Sequence, residues 1–149
     1  MRRYILDTNI ISNLQADTVN GLKILGRLEK LSQDDEVCIS IVVLYELVYG
    51  LNNITDMDEK AAVEKGIGFI KEYLTIVPLD MKEVDIFANL KTKYKVSTGI
   101  HSNAIKRHNL DLLIASTAIA IGAVIVSQDK IFEKLSTIEP ALKYENWLS

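Results

Sequence analysis

Residues 5–11, ILDTNII, decide the fold and place a candidate functional residue within it. An acid, a hydroxyl and an amide interrupt an apolar run at this point. Residues 4–6 read as a short strand, while Ile10 and Leu14 resume the apolar pattern at helical spacing. Asp7 therefore lies where a strand passes into a helix. In that place an Asp either caps the helix or points a carboxylate into a crevice beyond the sheet.

The bulk composition indicates an ordinary globular protein. The 149 residues are 48% hydrophobic and 25% charged, which fits one domain over residues 1–149. Cys38 lies in an apolar run and is expected to be a buried thiol, which suits a reducing cytoplasm. No signal peptide is recognisable, and the longest nearly uncharged stretch, residues 112–128, breaks at Gly122. We therefore expect a cytoplasmic protein with no membrane span.

Apolar runs bounded by turns predict strands at residues 4–6, 37–40, 74–78, 123–127 and 142–144. Helical spacing fills the intervals between them. Strands that alternate with helices indicate an α/β fold with a mainly parallel sheet and helices on both faces. Ligands in such sheets bind beyond the carboxyl ends of the strands. Residues 95–109 show little periodicity, and we expect a long polar loop there.

Glu46 is the only charged residue in ISIVVLYELVYGL, residues 39–51, a segment that reads as a helix capped by Ser40. The helix is apolar on nearly every side, which is typical of a buried helix. An ionised carboxylate is costly there unless a positive group compensates it. Glu46 is therefore a functional acid, the partner of a distant Lys or Arg, or a residue on a narrow exposed stripe of the helix. Tyr45 and Tyr49 are interpreted as packing residues.

Asp111 and Asp129 also stand at the entrances to helices. Asp111 directly precedes an apolar helix at residues 112–121, where Asp is a preferred N-cap. If Asn109 is the cap instead, Asp111 lies in the first turn and faces the crevice. Asp129 follows a strand as Asp7 does, and a surface turn is the simplest explanation for it alone.

Taken together, four acids share a position just past a predicted strand end or in the first turns of the next helix: Asp7, Glu46, Asp111 and Asp129. Parallel topology brings all of them towards one edge of the sheet. Clustered carboxylates repel one another strongly, so either some stay protonated or divalent cations neutralise them. An all-oxygen ligand set suits Mg²⁺ or Mn²⁺ better than Zn²⁺.

Four blocks of the sequence, YILDTNIIS, IVVLYELVYGL, NLDLLIASTAIA and VIVSQDKIF, resemble the PIN-domain nucleases, most closely the VapC-type toxins of toxin–antitoxin pairs. The ending YENWL is similar as well. The resemblance implies a three-layer α/β/α sandwich and Mg²⁺- or Mn²⁺-dependent endoribonuclease activity. It also implies a homodimer and a cognate antitoxin that blocks the site. Two departures are Ser127, where many relatives have Thr, and a longer loop before Asp111.

Carried over block by block, the resemblance implies that one set of acids is both catalytic and metal-binding: Asp7, Glu46, Asp111 and Asp129. Three side chains, Thr8, Asn9 and Ser127, fall at supporting polar positions. The expected chemistry is hydrolysis of RNA phosphodiester bonds by metal-activated water.

The net charge of −3 does not indicate a constitutive nucleic-acid binder, although leaving out the four candidate acids changes it to +1. Lys106 and Arg107 flank the candidate site, and either they contact RNA phosphates or they belong to a solvated loop. The other small basic groups are Arg2-Arg3 and Lys91, Lys93 and Lys95.

Three competing classes fit the residues less well. A phosphatase-like protein with Asp7 as nucleophile needs a second acid two residues on, where Asn9 stands. A receiver-type switch needs adjacent acids after the first strand. A catalytically silent PIN-like module that binds RNA or serves as a scaffold is the alternative that the intact set of acids disfavours. His101 and His108 are not expected to bind metal, and Trp147 is interpreted as a packing residue.

Overall fold

The computed structural model of the chain describes residues 1–14 and 17–149. The strands are β1 (Arg3–Leu6), β2 (Glu36–Ser40), β3 (Thr75–Val77), β4 (Val124–Val126) and β5 (Lys143–Glu145). The helices are α1 (Thr8–Ser12), α2 (Val19–Glu29), α3 (Ile41–Asn52), α4 (Met57–Tyr73), α5 (Val84–Thr98), α6 (Asn109–Ile121) and α7 (Lys130–Ile138). Two 3₁₀ turns, Met81–Glu83 and Ile105–His108, precede α5 and α6. Within the described ranges, no helix has the length and apolarity needed to cross a membrane.

The described strands form one five-stranded sheet in the order β3-β2-β1-β4-β5, and every pair is parallel. The chain runs outward from β1 to β3, returns to β4 on the other side of β1, and ends at β5. Crossovers between parallel strands are right-handed almost without exception, and this rule assigns the helices of the two halves to opposite faces of the sheet. The predicted α/β/α sandwich is confirmed. The order of the strands reverses between β1 and β4, and crevices form at such switch points.

The centre of the sheet is apolar because helices cover both faces. All of β4 is buried, and so are Ile5 and Leu6 of the neighbouring β1. The middle of α6, residues 114–118, is buried, and the helix ends before Gly122, whose φ of 67° is in the left-handed region that favours glycine. The helix-to-strand break that the sequence predicts at Gly122 is confirmed. The buried ends of β1 and β4 therefore give the residues that follow them a defined position.

Each of the five predicted strands is present, with ends that differ by at most one residue. The long polar loop predicted at residues 95–109 is wrong in most of its length. α5 continues to Thr98, and Ile105–His108 forms a 3₁₀ turn, which leaves only residues 99–104 outside helical structure. Buried Tyr94 and Ile105 anchor the two sides of this segment, but polar residues between them hide the pattern.

The prediction that α3 is a buried helix is also wrong for one side of it. Val42, Val43 and Leu47 are buried, whereas Tyr45 and Tyr49 are 69% and 73% exposed. No other element covers that side of α3 in the described part of the chain, so the tyrosines are not packing residues of the core. The capping prediction is confirmed, since Ser40 Oγ accepts a hydrogen bond from the Val42 N–H at 3.1 Å.

Trp147 is a packing residue, as its position in the sequence predicts. It is 3% exposed, and its ring lies 5.5 Å from that of Tyr4. Its indole N–H donates to Glu145 Oε2 at 2.8 Å, which satisfies the polar end of the buried side chain.

Candidate active site

The site begins where the two central strands end side by side. β1 ends at Leu6 and β4 at Val126, and these residues are register partners. The pairing extends one residue further, because the Asp7 N–H donates to the Val126 carbonyl oxygen at 3.0 Å. Asp7 and Ser127 are thereby held next to each other at the switch point of the sheet.

Ser127 connects the acids of these two strand ends. Its side chain is fully buried, and its Oγ donates to Asp7 Oδ2 at 2.8 Å. The same oxygen accepts from the Asp129 N–H at 2.9 Å. One hydroxyl therefore orients the Asp7 carboxylate and fixes the backbone that carries Asp129.

Asn9 bridges the same two segments. Its Nδ2 donates to Asp7 Oδ2 at 3.2 Å and to Ser127 Oγ at 3.1 Å, and its Oδ1 accepts from the Gln128 N–H at 3.3 Å. Asp7 Oδ2 thus receives two hydrogen bonds in a position that is only 4% exposed. This network leaves Asp7 with a defined orientation.

Asp7 and Asp129 occupy the N-cap positions of α1 and α7, but neither side chain makes a capping hydrogen bond. Helix capping therefore does not account for these two acids. Both carboxylates remain available to the crevice at the carboxyl end of the sheet.

Glu46 approaches the same place from α3. Its Oε1 accepts a hydrogen bond from Thr8 Oγ1 at 3.1 Å, so the residue after Asp7 holds it towards β1. The alternative of a distant Lys or Arg partner is not seen, because the ion pairs among the described residues involve Glu36 and Glu139 instead.

Asp111 lies in the first turn of α6 and does not cap it. The N-cap is His108, and its side chain makes no capping bond. Of the two interpretations of Asp111, the first-turn placement is confirmed, although Asn109 is not the cap. Asn109 instead accepts a hydrogen bond from Lys91 Nζ at 2.7 Å.

Burial and the charges of the neighbouring acids raise the pKa values of three of the four acids. Burial and the charges of Asp7, Asp129 and Glu46, in that order, raise the pKa of Asp111 to about 7. Burial also raises the pKa of Asp7, against the hydrogen bond from Ser127. The pKa of Glu46 is raised by burial and by the charge of Asp7. The structure therefore brings the four predicted acids into one negative cluster.

The residues of this cluster suit a hard divalent cation in type and charge. The donors are all oxygen atoms, and no Lys or Arg in the described ranges forms an ion pair with any of the four acids. In the same ranges, no group of three or more acidic, His or Cys side chains is already close enough to hold a metal ion. The acids fit a metal chemically, but they would have to draw closer to enclose it.

Lys106 and Arg107 lie on the surface of the 3₁₀ turn that leads into α6. Arg107 Nε donates to His108 Nε2 at 3.2 Å, and the His108 ring packs edge-on against Tyr94. Burial and the charge of Arg107 lower the pKa of His108, while the charge of Asp129 raises it. His108 of this turn thus interacts with the charge of Asp129, while the role of Lys106 and Arg107 stays a prediction.

The sequence does not predict the contact between Lys91 of α5 and the first residue of α6. Its hydrogen bond to Asn109 joins two positions that are 18 residues apart, and the predicted loop of residues 95–109 lies between them. The spacing of Lys91 and Lys95, one helical turn apart, is the signal that could have shown that they share a face of α5.

Known proteins resemble the chain over nearly its whole length. A family model described as PIN domain matches residues 4–138. Ribonuclease VapC2 of Rickettsia felis is 30% identical over 145 residues, which cover 97% of each chain. A chain in the crystal structure of VapBC2 from Rickettsia felis, bound to a DNA fragment from their promoter, superposes with a TM-score of 0.77. That match has 28% identity and covers 97% of this chain and 98% of the other.

A further structure shares the fold at lower identity. It is the crystal structure of VapBC-5 from Mycobacterium tuberculosis, a member of the VapBC family of toxin-antitoxin systems. Its TM-score is 0.68 at 22% identity, with 98% of each chain covered.

Proposed function

The chain belongs to the PIN domain family, and on that premise we propose that it is an endoribonuclease that serves as the toxin of a toxin–antitoxin pair. Its relatives named Ribonuclease VapC support the activity, and its likeness to chains of VapBC structures supports the pairing. The observation that carries the proposal is the position of Asp7. This buried carboxylate is held by Ser127 and Asn9 at the switch point, within a cluster of three other acids.

We propose that the reaction is hydrolysis of RNA phosphodiester bonds and that it depends on Mg²⁺ or Mn²⁺. Asp7, Glu46 and Asp111 would hold the cation, with Asp129 completing the set. A bound divalent cation supplies an acidified water molecule and neutralises the charge that builds on the phosphate.

The remaining chemistry belongs to the side chains of this protein. Ser127 and Asn9 keep one oxygen of Asp7 fixed, and Thr8 fixes one oxygen of Glu46. Asp129 is exposed and leaves its carboxylate uncommitted to the helix, so it is available either to bind a second cation or to orient the attacking water. These supporting bonds set the direction of each carboxylate before substrate arrives.

Asp111 holds a proton in a large share of molecules near neutral pH, because its pKa is about 7. Positive charge that enters the cluster favours the ionised form and releases this proton. Lys106 and Arg107 bind phosphates of the RNA at the border of the cluster.

We propose two protein partners, a cognate antitoxin that blocks the site and a second copy of the chain. Several aromatic side chains of α3 and α4 are exposed and offer apolar surface for such contacts: Tyr45, Tyr49, Phe69 and Tyr73. Light scattering of the purified chain tests the homodimer, and co-purification with the product of a neighbouring small gene tests the antitoxin.

The activity is tested with RNA, wild-type protein and the variant Asp7→Asn. We expect cleavage in Mg²⁺ or Mn²⁺, none after chelation, and a loss of at least roughly a thousandfold in the variant. Asp34→Asn, at an exposed turn, is the control and should cleave normally. Cleavage by a folded Asp7→Asn protein at the wild-type rate contradicts the proposed site. RNA binding without cleavage by the wild type supports the silent module instead.

A further inference from the structure

Two lysines of α5, Lys91 and Lys95, extend towards the segment that precedes α6. Lys91 Nζ donates to Asn109 Oδ1, and Lys95 Nζ donates to Ser102 Oγ, each at 2.7 Å. Both acceptors are neutral, so these bonds orient the ammonium groups without neutralising them. Neither lysine forms an ion pair with any residue of the described ranges 1–14 and 17–149.

Between α5 and residues 99–105 lies a cavity of about 440 Å³, which we call the α5 groove. Its lining contains no acidic side chain: Phe87, Ala88, Lys91, Thr92, Lys95, Ser102 and Ile105. The volume is in the range of ligand-binding pockets, about 300–1,000 Å³. The groove therefore combines space, two uncompensated positive charges and two hydroxyl groups.

The α5 groove adjoins the amino-terminal end of α6, the helix that carries Asp111. Lys91 contacts Asn109, which shares the first turn of α6 with Asp111. Residues 106–108, which lead into α6, follow directly on Ile105 of the groove wall. Positive charge thus extends from the turn before α6 along one side of α5.

Lys93, on the same helix, differs from its two neighbours. It forms an ion pair with Glu139 at 3.1 Å and does not line the groove. Lys91 and Lys95 are four positions apart and share a face, whereas Lys93 is offset from both. The helix thus has one lysine that is neutralised within the fold and two that are oriented and unneutralised.

We propose that the α5 groove binds the phosphates of the RNA strand next to the scissile bond, with Lys91 and Lys95 as the contacting residues. This inference rests on the proposed ribonuclease function and adds the path of the substrate. A cluster of four acids repels a polyanion, so a basic groove provides the attraction that brings RNA to the site. RNA is favoured over an acidic protein segment because the groove adjoins the start of α6, whose first turn carries an acid of the site proposed to receive a phosphate.

The test compares Lys91→Gln, Lys95→Gln and Lys93→Gln with wild type. Glutamine removes the charge but keeps a donor for Asn109 or Ser102. KM and kcat are measured in Mg²⁺ with a dinucleotide and with a longer unstructured RNA. Binding of the longer RNA is measured separately in the Asp7→Asn background, across a series of salt concentrations.

We expect Lys91→Gln and Lys95→Gln each to raise KM for the long RNA roughly three- to tenfold with kcat unchanged. Each should also lower the salt dependence of binding by about 0.7 in the log–log slope. Cleavage of the dinucleotide, which does not reach the groove, should not change. Lys91→Arg and Lys95→Arg should restore KM, and Lys93→Gln should match wild type.

An unchanged KM and salt slope for Lys91→Gln and Lys95→Gln overturns the inference, and so does an equal effect of Lys93→Gln. It is also overturned if the two variants lose binding to polyglutamate while RNA binding is unaffected, because the groove then receives an acidic protein. A wild-type protein that cleaves no RNA contradicts the proposed function. The binding series in the Asp7→Asn background still tests the groove in that case.

Discussion

Acidic residues lie at both ends of the parallel strands, and their pKa values are lowered at the amino end and raised at the carboxyl end. At the amino end, Glu36 is the first residue of β2, and its Oε2 accepts from Arg3 Nε at 2.8 Å. Hydrogen bonds from Thr75 and Arg3 lower the pKa of Glu36. The neighbouring Asp35 has its pKa lowered by the backbone N–H groups of Arg2 and Ser32.

At the carboxyl end, burial raises the pKa values of Asp7, Glu46 and Asp111, and the acids oppose one another's ionisation. The amino end thus uses carboxylates to join strands and turns, while the carboxyl end collects them without a compensating cation among the described residues. Perturbed acids that gather in a crevice are typical of functional sites. Acidic residues therefore stabilise the amino end of the sheet and destabilise the carboxyl end.

The largest expected difference between the two ends of the sheet appears when one carboxylate at each end is exchanged for an amide. Glu46→Gln should lower kcat by roughly a hundred- to a thousandfold, because it removes one charge from the cluster proposed to hold the cation. Glu36→Gln, at the amino end, should leave kcat unchanged. Rates of RNA cleavage at saturating Mg²⁺ measure both. Equal losses in the two variants would show that the cluster has no special role.

The Ser127 hydroxyl provides a second test, because its hydrogen bonds go to Asp7 and Asp129 at the carboxyl end of the sheet. Ser127→Ala removes the bonds to Asp7 and to the Asp129 N–H, and activity or metal affinity should fall roughly 10- to 100-fold. Ser127→Thr keeps the hydroxyl and should retain most activity. The control is Ser136→Ala on α7, where the hydroxyl bonds only to the Glu133 carbonyl. An inactive Ser127→Thr protein would indicate that volume, not hydrogen bonding, governs this position.

The smallest expected effect is on stability, and its sign differs between the two ends. Asp111 has a pKa of about 7 in the fold against 3.8 unfolded, so the folded protein binds more protons in that interval. Stability of the metal-free protein therefore falls as pH rises from about 4 to about 7. Asp111→Asn should raise the free energy of unfolding above pH 7, on the order of 2 kcal/mol after allowance for solvent screening.

Denaturant titrations at several pH values without metal measure this effect, with Glu36→Gln as the opposite case. The pKa of Glu36 is lowered in the fold, so its contribution is present above about pH 4.5 and is lost as pH falls. Its removal should destabilise by up to about 1 kcal/mol at neutral pH. Mg²⁺ should stabilise the wild type more than Asp111→Asn. Stabilisation by Glu36→Gln would remove the distinction between the two ends.

The fold was largely predictable from local pattern. Each apolar run that was predicted as a strand pairs in the sheet, and Gly122 ends α6 where the sequence indicates. The prediction failed at residues 95–109 because a helix that buries only Tyr94 near its end leaves little periodicity in the sequence. It also failed for α3, since an apolar face does not reveal whether an element of the same chain covers it.

The sequence was sufficient to select the candidate acids, but it did not reveal the hydrogen bonds between the residues of the candidate site. Strand ends point to Asp7 and Asp129, and the sequence leaves open whether these acids cap helices. Only the structure shows both caps without a side-chain bond. Only the structure shows that Ser127 Oγ serves two partners at once and that Lys91 reaches Asn109.

The sequence by itself determined the order of strands and helices, the identity of the acids and their family. Those features depend on neighbours along the chain, through alternation, capping and short blocks of residues. The tertiary structure decided which acids repel one another and which lysine is neutralised by Glu139. It also decided which tyrosines face solvent. Charge interaction and burial depend on distances in space, and the register of β1 beside β4 sets those distances across more than a hundred residues.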